Sequence, residues 1–266
     1  MSEITKLEPK LVWELFDAIT RVPRPSKKEE KIREFLVDFA KKHNIDYQTD
    51  ETSNVVMRVP GTKGYENRPC VILQSHMDMV CEKNSSVNFD FEKDPIETYI
   101  DGEWVKAKGT IGMAAALAAL LDPALEHGPL EALFTVDEET GLTGAFGLGK
   151  GMLTGRYLVN LDSEDEGEIF IGCAGGVDTL ATFRYKTEAA PEAHVFFRGR
   201  VSDLSGGHSG DDIDKGRMNS NKLVARLLWN GAQRFGLRLS RFDGGNLRNA
   251  IPREAYAVFA VPSGSK

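Results

Sequence analysis

The chain has 266 residues, of which 41% are hydrophobic and 27% are charged, so it is long enough for one large or two modest globular domains. Its net charge of −7 argues against a nucleic-acid partner and against an anionic membrane surface. The N-terminal residues include acids and no apolar run long enough for a signal peptide or a membrane span, so we expect a cytoplasmic protein.

Two helices are predicted at the N-terminus. Apolar residues recur at helical spacing from Leu11 to Ile19, and the pattern stops at Pro23. Ser26 is followed three residues later by Glu29, which is typical of a capping box and predicts the start of a second amphipathic helix.

Buried strands then alternate with helical segments. Strands are predicted at "NVVMRVPG", "RPCVILQSHMDMV", "LEALFTVDEETG" and "GRYLVNLDSED". A further strand or hairpin arm is predicted at "EWVKAKG", and an Ala-rich helix is predicted from Ile111. Polar side chains gather where the apolar runs end. This order predicts an α/β fold with a central, mostly parallel sheet and a site along its carboxyl edge.

The pattern changes from about Val177. The segments "VDTLATFRYKT" and "AHVFFRGRVSDL" alternate as antiparallel strands do, a helix is predicted at "NSNKLVARLLWNGAQRFG", and two more strands are predicted at "LRLSRFDGG" and "EAYAVFAVP". We therefore expect a second, α+β unit that begins within residues 177–193.

Five side chains at the predicted strand ends have the chemistry of metal ligands and bases: His76, Asp78, Glu138, Glu139 and Asp162. Asp78 follows His76 at i+2, where it can accept the imidazole N–H that a metal-bound histidine leaves free. Glu138 and Glu139 are adjacent on a predicted strand end, so one can face a metal and the other a substrate. Each residue taken singly also suits an ordinary charged turn, but three such strand ends together favour His/Glu/Asp coordination of zinc.

His208 lies in "SGGHSG", where the flanking glycines allow a tight turn and an accessible imidazole. It is a candidate donor to an oxyanion, or else a histidine that only fills a loop. The segment lacks the lysine of a phosphate-binding loop, and the spacing around Ser209 is not that of a nucleophile elbow.

Several motifs occur in the same order as in a known family: "LQSHMDMV", "YIDGEWVKAKGT", "DEETGLTGAFGL", "LDSEDEGEIFIGCAGG", "GGHSGDDIDKGR" and "LRNAIPREA". Over essentially its whole length the chain resembles the bacterial aminoacyl-histidine dipeptidases, or cytosol non-specific dipeptidases, which are zinc peptidases related to the carnosinases. The resemblance implies metal-dependent hydrolysis of Xaa-His and other unblocked dipeptides. A related aminoacylase or carboxypeptidase is the nearest alternative enzyme.

The resemblance also implies roles for individual residues. His76 and Asp162 would be ligands of the first of two divalent ions, Glu139 a ligand of the second, Asp78 the acid that orients His76, and Glu138 the general base. Zinc is the expected metal, with cobalt and manganese as alternatives. His208 and Asn249 would contact the substrate.

The implied organisation is a catalytic domain in residues 1–185 and the first part of a lid domain in 186–266, through which a homodimer can form. In the family, a loop with a metal-bridging Asp follows the Gly-Thr of "KGT", whereas here Thr110 is followed directly by Ile111. That Asp and a distal His of the second metal have no counterpart. The sequence is therefore expected to be incomplete, to be a fragment, or to be that of an inactive homologue that binds peptides or an assembly partner.

Overall fold

A computed structural model describes residues 2–84, 86–107, 111–163, 167–173, 175, 177–210 and 212–265. The α-helices are α1 Lys10–Thr20, α2 Glu30–Lys42, α3 Gly112–Leu121, α4 Glu138–Gly141, α5 Thr143–Phe146 and α6 Ser220–Phe235. The strands are β1 Asp46–Thr49, β2 Val55–Val59, β3 Val71–His76, β4 Tyr99–Asp101, β5 Trp104–Lys106, β6 Leu130–Thr135, β7 Tyr157–Asn160, β8 His194–Val201, β9 Arg238–Gly244 and β10 Ala255–Pro262.

These elements divide between two compact units. One consists of Met1–Glu82 and Asn88–Gly172, and the other of Lys83–Val87 and Cys173–Lys266. The catalytic and lid roles expected for residues 1–185 and 186–266 remain predictions.

The first unit is built on a five-stranded sheet with the order β1-β2-β6-β3-β7. Strand β3 runs parallel to both β6 and β7, and β2 runs antiparallel to both β1 and β6. Four of the five strands therefore point the same way, and β2 runs against them. Because β6, β3 and β7 are parallel neighbours, their carboxyl ends meet at one edge of the sheet.

Strand β6, in the middle of the sheet, is buried on both faces because its sequence is apolar on both sides. The prediction that β7 is also a buried strand is wrong: all four of its residues are exposed, because β7 is the last strand in the order of the described sheet. Ala132 and Phe134 of β6 pack into a large core with helices α1, α2 and α3. Leu133, which points the other way, packs with Ile72 and Met152 in a smaller core. Every residue of β6 is buried, as its continuous apolar run predicts.

The second unit contains a three-stranded antiparallel sheet in the order β8-β10-β9. Helix α6 covers one face through Val224 and Leu228, which pack with Ala255 and Ala257 of β10. The side chain of Asn219 accepts a hydrogen bond from the backbone N–H of Lys222, which caps the start of this helix. The unit is α+β, as predicted.

Two further predictions about local structure are wrong. Residues 177–187 form no strand, and their alternating apolar side chains, such as Leu180 and Phe183, are exposed, because alternation makes a strand only when a neighbouring strand pairs with it. Ser26 does not cap α2, which begins at Glu30 without a side-chain cap. The junction of Thr110 with Ile111 lies outside the described residues.

Within the described part of the chain, no helix combines the length and the apolar composition needed to cross a membrane.

Candidate metal centre

Three potential ligands converge at the carboxyl edge of the central sheet. His76, Glu138 and Glu139 each offer one donor atom, and these three atoms lie within 4.8 Å of one another. His76 ends β3, and in the register of the parallel pair it lies beside Thr135, the last residue of β6. The two glutamates follow that strand, so strand pairing brings the three donors together.

Asp162 joins this group from the third parallel strand. Its Oδ2 atom lies 3.5 Å from Nε2 of His76. The N–H of the preceding residue, Leu161, donates to the carbonyl oxygen of Gln74 at 2.9 Å, so the chain beyond β7 stays aligned with β3. The ends of β3, β6 and β7 thus contribute side chains to one cluster.

Asp78 is fully buried and organises the cluster. Its Oδ1 lies 3.2 Å from Nδ1 of His76 and accepts the backbone N–H of Glu138 at 3.0 Å. Its Oδ2 accepts the N–H of Glu139 at 3.2 Å and the hydroxyl of Ser26 at 2.7 Å. Burial alone raises the pKa of Asp78, but the bonds from His76, Ser26 and Glu138 outweigh it and hold that pKa below its ordinary value. Asp78 therefore orients the His76 ring with Nε2 toward the other acids.

The electrostatic field of the cluster favours cations. Burial lowers the pKa of His76, but the hydrogen bonds to Asp162 and Asp78 outweigh burial and raise it to about 10. Burial raises the pKa of Glu139 to about 7; the charge of His76 acts in the opposite direction, and the charges of Glu138, Asp78 and Asp162 add to the effect of burial. The negative potential that helps to raise these two pKa values also favours the binding of a divalent cation. One imidazole with several carboxylates is a donor set that suits zinc, cobalt or manganese.

The two glutamates do not occupy a strand, and the prediction that adjacent strand positions point them to opposite sides is wrong. Strand β6 ends at Thr135, and Glu138 and Glu139 form the first turn of α4. Asp137, which lies between the end of β6 and the start of α4, adopts the left-handed conformation, with φ of 49°. Its carboxylate accepts the hydroxyls of Thr140 and Thr143, so the turn is held by local side-chain bonds.

Comparisons with known proteins identify the family. The model of "Peptidase family M20/M25/M40" matches residues 72–208, slightly more than half of the chain. The chain belongs to this peptidase family. The matched region includes the whole cluster of candidate ligands.

Two relatives of this M20 chain are similar along nearly its full length. The cytosol non-specific dipeptidase of Escherichia coli (strain K12) is 48% identical over 98% of the chain. The solved aminoacylhistidine dipeptidase of Vibrio alginolyticus is 45% identical over 99% of it, with a TM-score of 0.63. The chain spans 55% of the length of each of these relatives. Aminopeptidase PepT from Bacillus cereus, at 20% identity and a TM-score of 0.50, shares the fold.

The predicted substrate contacts of the M20 chain lie in its second unit. The N–H of Ser209 donates to the carbonyl oxygen of Asn249 at 2.9 Å, and His208 forms an isolated β-bridge with Ala250. Nδ1 of His208 accepts the N–H of Gly210 at 3.2 Å. The segments that contain His208 and Asn249 are therefore neighbours, while their contact with substrate stays a prediction.

The sequence does not reveal the residues that support the candidate ligands of this M20 chain. Ser26 bonds Asp78, and Oε1 of Glu29 accepts the N–H of Asp137 at 3.0 Å. The spacing of Ser26 and Glu29 predicts a helix cap because it satisfies that local rule. The segment "PRPS" before them held the only available clue, since a proline on each side of Arg24 is more typical of a fixed bend than of a helix start.

Proposed function

We propose that the protein is a metal-dependent dipeptidase that hydrolyses unblocked dipeptides, Xaa-His among them. The observation that carries this proposal is the cluster of His76, Glu138 and Glu139, with Asp162 beside it and Asp78 beneath it, inside the region that matches the M20 family. The names of the two most similar relatives described above support dipeptides as the substrate class.

The metal ligands in this proposal are His76 through Nε2, Asp162 and Glu139. Asp78 fixes the imidazole from the opposite ring nitrogen, at 3.2 Å. Two divalent ions are proposed, as the family resemblance implies. Zinc is preferred over cobalt and manganese because an imidazole and carboxylates are the ligands that catalytic zinc sites use. Bound ions of this kind lower the pKa of water and polarise a carbonyl group.

Glu138 is proposed as the general base. Its backbone N–H donates to Oδ1 of Asp78 at 3.0 Å. This bond fixes the backbone position from which the Glu138 side chain extends at the beginning of α4. A cleft of about 260 Å³ opens onto His76, Glu138 and Asp162, which leaves room beside the carboxylate for water and the reacting part of a peptide. Glu138 would accept a proton from the attacking water on a carboxylate oxygen and deliver it to the leaving amine.

The remaining roles are part of the same proposal. His208 would donate a hydrogen bond to the oxyanion, and Asn249 would contact the substrate, both from a lid domain that includes residues 186–266. The lid would also form a homodimer. We place the activity in the cytosol, following the name of the Escherichia coli relative.

The substitution Glu138→Gln tests the mechanism because it keeps the size of the side chain and removes the base. We expect kcat for an Xaa-His dipeptide to fall by about 10²- to 10⁴-fold. The affinity for Zn²⁺, measured by competition with a chromogenic chelator, is expected to stay at the wild-type value. Glu103→Gln, at an exposed position, is the matched control.

The two measurements separate the alternatives. A parallel loss of Zn²⁺ affinity in Glu138→Gln would make Glu138 a ligand and not the base. Wild-type protein that binds Zn²⁺ but cleaves no dipeptide would contradict the enzymatic proposal and favour a peptide-binding role.

A further inference from the structure

Arg24 is a buried charged residue that the proposed mechanism does not use. Its side chain is 0% exposed. Nη1 donates to the carbonyl oxygen of Met77 at 3.1 Å and contacts Sδ of Met113 at 3.7 Å. Nε and Nη2 have no hydrogen-bond partner among the residues that the structure describes. Burying a guanidinium with two unsatisfied donors is costly, so its presence calls for a compensating role.

Arg24 holds the backbone on both sides of Asp78. Its side chain donates to the carbonyl oxygen of Met77, which links His76 to Asp78. Its own carbonyl oxygen accepts the N–H of Met79 at 3.1 Å, and Pro25 forms a parallel β-bridge with Met79. The backbone before and after Asp78 is therefore bonded to one residue that lies more than fifty positions away in sequence.

The residues that follow Arg24 also make hydrogen bonds near the two glutamates. Ser26 donates to Oδ2 of Asp78 at 2.7 Å, and Glu29 accepts the N–H of Asp137 at 3.0 Å. Asp137 immediately precedes Glu138. Residues 24–29, which we call the support bend, thus bond the chain that follows His76 at the end of β3 and the chain that precedes Glu138 and Glu139 at the start of α4.

The charge of Arg24 also acts on Asp78. The acids of the cluster repel one another, and Asp78 is the member whose charge interacts with Arg24. Burial lowers the pKa of Arg24 to about 10, with Asp78 acting in the opposite direction, so the guanidinium is still protonated at neutral pH. The buried guanidinium of Arg24 therefore interacts favourably with the carboxylate of Asp78.

We propose that Arg24 is a positioning residue of the metal centre, which acts through Met77 and Asp78 on His76, and that Ser26 and Glu29 complete this support. The inference rests on the proposed metal-dependent function. Arg24 would make the same hydrogen bonds if it only stabilised the fold. The test must therefore measure the geometry of the metal site separately from folding.

Co²⁺ binding provides that measurement. The affinity is determined by chelator competition and the ligand geometry by the visible absorption of Co²⁺, at a temperature where circular dichroism shows each metal-free variant to be folded. Arg24→Met is expected to weaken Co²⁺ affinity by about 10- to 100-fold and to alter the spectrum. Arg24→Lys, which restores the charge without the planar group, should recover part of the loss. Arg21→Met, on an exposed arginine that pairs with Asp17, is the control and should match wild type.

The outcomes distinguish this inference from the function on which it rests. Wild-type affinity and spectrum in folded Arg24→Met would overturn the positioning role and leave the metal centre intact. Wild-type protein that binds no Co²⁺ would overturn the metal centre and the positioning role together. If Arg24→Met does not fold, Arg24→Lys and Ser26→Ala decide: weakened Co²⁺ binding in both supports the inference, and unchanged binding in either overturns it.

Discussion

Glu131 shows how one buried acid stabilises the approach to the site. Its side chain lies on β6 and is 2% exposed. It accepts the N–H groups of Thr154 and Gly155 at 3.0 Å each and is paired with Nε of Arg58 at 3.2 Å. Burial by itself raises the pKa of Glu131, but these donors outweigh it and lower that pKa below its ordinary value. The ionised carboxylate therefore ties β6 to the chain that enters β7.

The variant Glu131→Gln is expected to lose this stabilisation in a pH-dependent way. Because the folded-state pKa of Glu131 is lowered, its contribution is full above the unfolded-state pKa and disappears as the pH falls through the folded-state value. Urea unfolding should show the variant about 2–3 kcal/mol less stable than wild type at pH 7, with the difference shrinking below about pH 4. Exposed Glu103→Gln is the control. A difference that is the same at pH 7 and pH 3 would contradict this explanation.

Individual residues differ in how far the sequence predicts their place. His76, Glu139 and Asp162 could be predicted because parallel strands end at a common edge, and a polar side chain after an apolar run falls there. The left-handed conformation of Asp137 could not be predicted, because it depends on hydrogen bonds, such as the one from Thr140, that form only in the folded turn. The contacts of Arg24 join residues far apart in sequence, and no local spacing rule describes them.

Close packing between α3 and the end of β7 is set by Gly112, the first residue of the helix. A Cβ atom added there would lie 2.7 Å from the carbonyl oxygen of Leu161 and 2.9 Å from its Cβ. Leu161 directly precedes Asp162. The absent side chain of Gly112 therefore lets the helix approach the strand closely enough to set the position of a proposed ligand.

Gly112→Ala should move α3 away from the residues that follow β7. We expect a loss of about 1–3 kcal/mol in the free energy of unfolding, because the clash involves backbone that has to shift. We also expect weaker Zn²⁺ binding, because Asp162 moves with Leu161. Thermal unfolding and chelator competition measure the two effects. Gly172→Ala, where an added Cβ meets no atom within 4 Å, is the matched control. Unchanged values for both quantities in Gly112→Ala would exclude this role.

Elements were predictable where burial and periodicity agree. The continuous apolar run of β6 and the Ala-rich α3 are both buried, so local pattern and tertiary packing require the same structure. They disagree at residues 177–187, which alternate like a strand but remain exposed. They also disagree at Ser26, which matches a capping box but bonds Asp78. At Ser26 the deciding partner is distant in sequence, and at residues 177–187 the described part of the chain pairs no strand with the segment.

At the largest scale, the chain divides into two units that each have a core of their own. The core of the first unit joins the helices α1, α2 and α3 to the central sheet, and the core of the second joins α6 to β10. All proposed metal ligands belong to the first unit. A ligand that binds only the folded form of a unit stabilises that unit by mass action.

Zn²⁺ is therefore expected to stabilise the first unit selectively. At a free concentration of about 100 times Kd, binding is worth about 2.7 kcal/mol, which corresponds to roughly 100-fold slower exchange of amides that exchange only on unfolding. Hydrogen exchange followed by mass spectrometry should show this slowing in β3 and β6, with β10 unchanged. The effect should vanish on chelation and in His76→Ala. Equal slowing in β10 would mean that the units unfold together, and no slowing in β3 would exclude a metal site at the end of that strand.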